Sequence, residues 1–179
     1  MNLLPWPGMW WAGLGAGILS ACGMGASHRL SMEEAPVGVW TLEPKDAVQR
    51  NRAKARLDLA QAYYEQGQAA IALQEVAQAQ AADPQWIAVH NLKALVLDKM
   101  GQSAMARNSF EEGLKLAQRN PSLGSELADL QHNWGLWLCQ QGQPARAMPQ
   151  FQRAMSQPGY ALRHKTETAM ARCDRLAKG

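Results

Sequence analysis

Residues 53–86 read AKARLDLAQAYYEQGQAAIALQEVAQAQAADPQW, and this stretch decides the fold. Its first half carries small Ala60 and aromatic Tyr63 and leads to Gly67, while its alanine-rich second half ends at Pro84. Small residues allow two helices to approach closely, and glycine and proline mark the points where helices end. The stretch therefore predicts two packed helices joined by a tight turn.

The same order of small, large and glycine residues returns twice along the chain, in units that begin near Ile87 and Ala128. The equivalent residues are Ala94, Leu97, Gly101, Ala106, Phe110 and Gly113 in the second unit, and Gly135, Leu138, Gly142, Ala147, Phe151 and Ala154 in the third. The pattern resembles the tetratricopeptide repeat, a helix-turn-helix of about 34 residues. It predicts an all-α solenoid of about three repeats, near 53–86, 87–120 and 128–161, with a capping helix in 162–179.

An uncharged apolar run from Trp10 to Ala21 precedes Cys22. The run is too short to span a bilayer, and it is typical of the core of a signal peptide. The letters LSAC at 19–22 resemble the lipobox of bacterial lipoproteins, whose cysteine is acylated and becomes the mature N-terminus. We interpret 1–21 as a lipoprotein signal peptide and Cys22 as the lipidation site, with an ordinary secretory signal as the alternative.

The composition limits the classes of function. Residues 22–52 contain glycine, serine and proline without a sustained helical period, so a flexible tether is expected ahead of a repeat domain at 53–179. Eighteen basic and 15 acidic residues are interspersed, giving a net charge of +3, which does not indicate a nucleic-acid-binding surface. Scarce β-branched residues and abundant alanine favour helix.

Two further cysteines, Cys139 and Cys173, are predicted to lie on successive first helices of the repeats. In an exported protein such a pair can form a disulfide. Neighbouring helices lie about 8–10 Å apart, whereas a disulfide requires Cα atoms within about 7 Å. The bond therefore requires both side chains to point into the shared interface, and the sequence leaves it open.

The sequence predicts no catalytic residues, no metal and no cofactor, and we interpret the protein as a non-enzyme. His132 and Cys139 lie seven positions apart on one predicted helix face, but zinc would need two more ligands at matching spacing. There is no phosphate-binding glycine loop and no paired-carboxylate motif. Trp134 and Trp137 are predicted to be core residues rather than surfaces on which a ligand stacks.

A binding surface for protein is the remaining expectation, because the first helices of stacked repeats line a concave groove. The mixed apolar and polar character of the groove suits a peptide partner rather than a small-molecule substrate. The two-carboxylate clamp of chaperone-binding repeats needs lysine and asparagine where this chain has Leu57, Gln61 and Asp129, so a chaperone C-terminus is not expected. The groove-facing positions are predicted to be Tyr64, Asn91, Leu95, Asp98, Asp129, His132 and Leu136.

The segment NWGLWLCQQG at 133–142, followed by Pro158-Gly159-Tyr160 and Cys173, resembles the PilF/PilW family of tetratricopeptide lipoproteins of type IV pilus biogenesis. The resemblance implies a lipid-anchored, periplasm-facing pilotin of the outer membrane. Its expected partner is the secretin subunit, which it helps to localise or assemble, or it supports pilus stability. Gly23 after the acylated cysteine agrees with outer-membrane sorting. The alternative is an envelope scaffold for peptidoglycan enzymes or for the tight-adherence pilus system.

Overall fold

The computed structural model describes residues 45–119 and 124–178, which form seven helices and no strand. The predicted signal peptide, Cys22 and the tether up to residue 44 lie outside these described residues. No described helix is both long and apolar enough to cross a membrane. The helices are Lys45–Glu65 (α1), Ala69–Ala82 (α2), Ile87–Lys99 (α3), Ser103–Arg119 (α4), Gly124–Gln140 (α5), Pro144–Ser156 (α6) and Arg163–Lys178 (α7).

The helices pack as three consecutive pairs, α1 with α2, α3 with α4 and α5 with α6, and α7 packs on the last pair. This arrangement confirms the predicted all-α solenoid of three helix-turn-helix repeats and a capping helix. The turn inside each pair contains a glycine with φ between 69° and 77°, a left-handed conformation that other residues rarely adopt. In each turn the next residue donates its N–H to a carbonyl five residues earlier, which closes the first helix. The glycines are Gly67, Gly101 and Gly142.

The first helix begins earlier than the sequence indicates, because α1 starts at Lys45 and the last part of the predicted tether, 45–52, is helical. Arg50 stabilises this extension, since its Nε lies 2.6 Å from a carboxylate oxygen of Asp83. Its guanidinium also stacks 4.7 Å from the ring centre of Trp86. Both partners come from the connection between α2 and α3, so the extension depends on contacts between repeats.

The third pair shows how a small residue permits close packing of the two helices in a repeat. A Cβ atom added to Gly135 of α5 would lie 2.6 Å from a ring carbon of Phe151 in α6. Phe151 is fully buried, and the neighbouring Trp134 and Trp137 are 3% and 2% exposed. Trp134 meets Phe110 of the preceding pair edge to face at 5.1 Å. Both tryptophans are therefore core residues, as predicted.

A covalent bond attaches the capping helix to the third repeat. The sulfur atoms of Cys139 in α5 and Cys173 in α7 are joined, and the two Cα atoms lie 5.7 Å apart. Cys173 is fully buried, so both side chains point into the interface between these helices. The bond closes a loop of 34 residues that contains all of α6.

Replacing Gly135 with alanine should destabilise the fold by about 1–3 kcal/mol, because the new methyl group overlaps the Phe151 ring in a close-packed core. Urea denaturation followed by circular dichroism measures this change. Gly124→Ala is the matched control at the start of the same helix, where only the Gln157 side-chain oxygen lies near, at 3.3 Å. An equal loss in both variants would contradict the packing argument.

Removing the disulfide with Cys139→Ala and Cys173→Ala should lower the free energy of unfolding by up to about 4 kcal/mol, the loop-closure value for a loop of this length. Reductant should destabilise the wild type and leave the double variant unchanged. Thermal denaturation of both proteins, with and without dithiothreitol, measures the effect. Equal melting temperatures for oxidised wild type and double variant would contradict it.

Candidate protein-binding groove

The first helices of the repeats form the inner side of the solenoid. Helix α3 contacts α1 and α5, and α5 contacts α7, so the four helices lie side by side. Among the described helices, the second members α2, α4 and α6 do not contact one another, although each packs on a first helix. In a curved array of helices, those that contact one another lie on the inner side, and those that are apart lie on the outer side. The concave surface is therefore built by α1, α3, α5 and α7.

Hydrogen bonds between α3 and α5 occupy part of this concave surface. The Asn133 side-chain amide nitrogen donates to the side-chain oxygen Oδ1 of Asn91 at 3.1 Å. The Trp137 ring N–H donates to a carboxylate oxygen of Asp98 at 2.8 Å. Asn91 and Asp98, predicted as groove residues, thus connect successive repeats and fix their relative position.

Tyr64 and Asp98 approach each other at the α1–α3 junction. Tyr64 is half-buried, with the Lys99 ammonium 6.0 Å from its ring centre. Burial, and then the Asp98 carboxylate, raise the pKa of the Tyr64 hydroxyl, because both disfavour the phenolate. This half of the predicted groove is a neutral phenol beside one carboxylate and one ammonium.

The other predicted groove residues lie further along the surface. Leu95 is half-buried against the core cluster that contains Trp134 and Leu138. Asp129 faces Tyr160 in the connection between α6 and α7, and burial raises the pKa of its carboxyl. Neither Leu95 nor Asp129 lines the pocket that contains the remaining two predicted residues, His132 and Leu136.

His132 and Leu136 line one pocket between α5 and α7, which we call the cap pocket. Its volume is about 320 Å³. The disulfide connects its two walls, since Cys139 and Cys173 are both lining residues. The cap pocket is lined by His132, Leu136, Cys139 and Gln140 of α5 and by Lys165, Thr168, Ala169, Arg172, Cys173 and Leu176 of α7.

The α7 wall was missed by the sequence reasoning, which treated that helix as a cover for the end of the solenoid. The signal was present: Lys165, Ala169, Arg172 and Leu176 follow one another at intervals of four, three and four. This spacing places them on one face of a helix. The capping helix therefore contributes half of the pocket as well as ending the core.

His132 is only 8% exposed, so it belongs to the floor of the pocket rather than to an open surface. The Thr166 hydroxyl donates to the Leu162 carbonyl at 3.0 Å, which uses its one proton. The His132 Nδ1, 2.8 Å from that hydroxyl oxygen, must then be the donor of their bond. Burial, and secondarily the positive charge of Lys165, lower the pKa of His132. The ring is therefore neutral at pH 7.

No set of three or more histidine, cysteine, aspartate or glutamate side chains in the described part of the chain could hold a metal ion. Cys139, which the sequence pairs with His132 as conceivable ligands, is bonded to Cys173. The chemistry available at the cap pocket is thus contact with apolar groups, hydrogen bonding and attraction of anions.

Comparison with known proteins agrees with this architecture. Two family models described as tetratricopeptide repeat match residues 41–96 and 87–120, which include the first two helix pairs. Tetratricopeptide repeats are therefore present. Such domains generally bind protein partners and are typically non-enzymatic scaffolds, which indicates a protein–protein interaction adaptor.

A Haemophilus influenzae protein, described as an uncharacterized protein, is 28% identical over 116 residues. The match covers 65% of this chain and 60% of the relative. The chain thus aligns with less than two thirds of the length of this curated relative.

Stability should decrease as the pH falls through 6.5, because His132 takes up a proton in the unfolded chain at its ordinary pKa but resists protonation when folded. The decrease should level off below the lowered pKa of the folded state. Urea denaturation between pH 7.5 and pH 5 measures the slope. His132→Asn, which keeps an N–H donor for Thr166 but does not titrate, should show a shallower slope than the wild type.

His164 supplies the matched control, because its side chain is 94% exposed on α7. His164→Asn should retain the wild-type slope. If both substitutions reduce the pH dependence of stability equally, burial of His132 is not the cause of that dependence.

Proposed function

We propose that this protein is a lipid-anchored adaptor of type IV pilus biogenesis that binds its protein partner on the concave surface formed by α1, α3, α5 and α7. The observation that carries the binding role is the cap pocket, which opens between two first helices and combines apolar lining residues with two cationic side chains. A concave repeat surface of this kind accommodates a peptide segment and offers no group arranged for acid–base or nucleophilic chemistry among the described residues.

Anchoring at Cys22 is supported by the lipobox-like letters LSAC that end an apolar run. Acyl chains such as palmitate contribute about 0.8 kcal/mol per buried CH₂, so two or more chains would hold the domain stably on a membrane. With Gly23 as the next residue, we propose the outer membrane, with the repeats facing the periplasm.

The pilus assignment rests on the resemblance of residues 133–142 to the PilF/PilW family. Several of these residues have a clear structural role. Asn133 forms a hydrogen bond to α3, Gly135 leaves room for the Phe151 ring, and Cys139 forms the disulfide to the capping helix. These residues therefore contribute to the third repeat and to the attachment of the helix that forms one wall of the cap pocket. We therefore propose the secretin subunit of the pilus machine as the partner, with its localisation or assembly, or pilus stability, as the outcome.

Photo-crosslinking in cells tests the partner. A crosslinking residue at Leu176, 67% exposed on the rim of the cap pocket, should capture the secretin subunit. The same residue at Ile71, 40% exposed on the outer helix α2, is the control and should not. Capture of peptidoglycan enzymes or of tight-adherence components from Leu176 would instead support the envelope-scaffold function.

Cell fractionation tests the anchor. Cys22→Ser should move the folded protein from the outer-membrane fraction to the soluble periplasm, because the variant lacks the thiol that would carry the lipid. The double variant Cys139→Ala and Cys173→Ala, which removes the other two cysteines, should remain in the membrane fraction. Membrane retention of the Cys22→Ser protein would exclude lipidation at this residue as the anchor.

A further inference from the structure

The cap pocket has an apolar interior that the fold leaves open. Leu136 of α5 is half-buried, and Ala169 of α7 lies opposite it in the same lining. Leu176 at the rim is 67% exposed, the highest value among the exposed large apolar side chains of the described residues. Apolar side chains of a partner that contact this lining would remove apolar surface from water.

Two cations of α7 border this apolar interior without a counter-charge. Within the described part of the chain, neither Lys165 nor Arg172 forms an ion pair, and both are exposed. The acidic residues of α7 are engaged elsewhere, since Asp174 pairs with Lys178 at 2.5 Å and Glu167 lies 3.7 Å from His164. The α5 lining is uncharged, because His132 is neutral and the remaining α5 residues carry no charge.

The spacing of the two cations defines the shape of a complementary ligand. Lys165 and Arg172 are seven positions apart on one helix, which corresponds to about 10 Å along its axis. A second helix lying parallel to α7 presents side chains at positions i and i+7 with the same spacing. Between them, on the same face, are positions i+3 and i+4, which point at the pocket.

We propose that the cap pocket binds an amphipathic helix of the protein partner, with carboxylates at positions i and i+7 and apolar side chains at i+3 and i+4. This assignment rests on the proposed role as a protein-binding adaptor and specifies the chemistry of the segment that is bound. The carboxylates pair with Lys165 and Arg172, and the apolar side chains contact Leu136 and Ala169, whereas Leu176 lies one turn beyond Arg172 at the rim.

Binding of a synthetic probe to the full chain tests the proposal. The probe is a fluorescent, alanine- and glutamine-rich peptide of about 16 residues, long enough to be partly helical, with glutamates at i and i+7 and leucines at i+3 and i+4. Acetylated and amidated ends exclude recognition of a terminal carboxylate. Fluorescence anisotropy should show binding that weakens as salt is added. Replacing both glutamates with glutamine, or both leucines with alanine, should weaken binding about fivefold or more.

Charge exchange gives the sharpest test. The variant with Lys165→Glu and Arg172→Glu should bind the glutamate probe about tenfold more weakly, and it should prefer a probe with lysines at i and i+7. Arg175→Glu makes the same kind of charge change on α7 outside the pocket lining and should bind like the wild type. Circular dichroism checks that each variant is folded. Equal binding of both probes by wild type and charge-exchange variant would overturn the proposal.

Crosslinking from Leu176 separates this inference from the proposed function. If secretin is captured by the wild type and equally by the charge-exchange variant, the adaptor function holds and the acidic-helix inference is wrong. If the probes bind as predicted from their charges while secretin is not captured, the acidic-helix inference is supported and the proposed secretin partner is wrong.

Discussion

Close contact between the two helices of each repeat is the constraint on which the structure depends. At Gly135 the absence of a side chain lets the Phe151 ring lie against the α5 backbone, where even a methyl group would overlap it. Alanine serves the same purpose in the first two repeats, where Ala60 and Ala94 are fully buried at the equivalent position. Because the two helices of a pair pack so closely on one side, the inner side of each first helix can contact the next first helix. The concave surface is thus a consequence of small residues inside the pairs.

The repeats could be predicted from the sequence because the residues that define them interact over short distances along the chain. The first helix of each pair ends just before Gly67, Gly101 or Gly142, and the residue after the glycine donates its N–H to a carbonyl five residues earlier. The small and large residues likewise act within one unit. The early start of α1 could not be predicted, since it depends on Arg50 reaching Asp83, 33 positions away. Helix α5 begins at Gly124, four residues before the predicted start of the third repeat, so its first turn lies between the two predicted repeats.

The groove was less predictable, because the partners of its polar residues come from other repeats. Asn91 and Asp98 could be expected on the inner surface from the repeat register, but their bonds to Asn133 and Trp137 join positions 42 and 39 residues apart. The buried His132 has its hydrogen-bond partner, Thr166, 34 positions later on α7. The repeat register predicts on which face of its helix a residue lies. Contacts with the neighbouring helix determine whether that residue is accessible to a ligand.

The disulfide makes the two ends of the solenoid unequal. In a linear array each unit is held only by its neighbours, so disruption starts at an end and spreads inward. The Cys139–Cys173 bond prevents the capping helix from separating completely, whereas α1 and α2 have only non-covalent contacts with α3 among the described elements. Fraying should therefore proceed from the N-terminal pair. On heating, the first repeat would open while the disulfide still held the two walls of the cap pocket together.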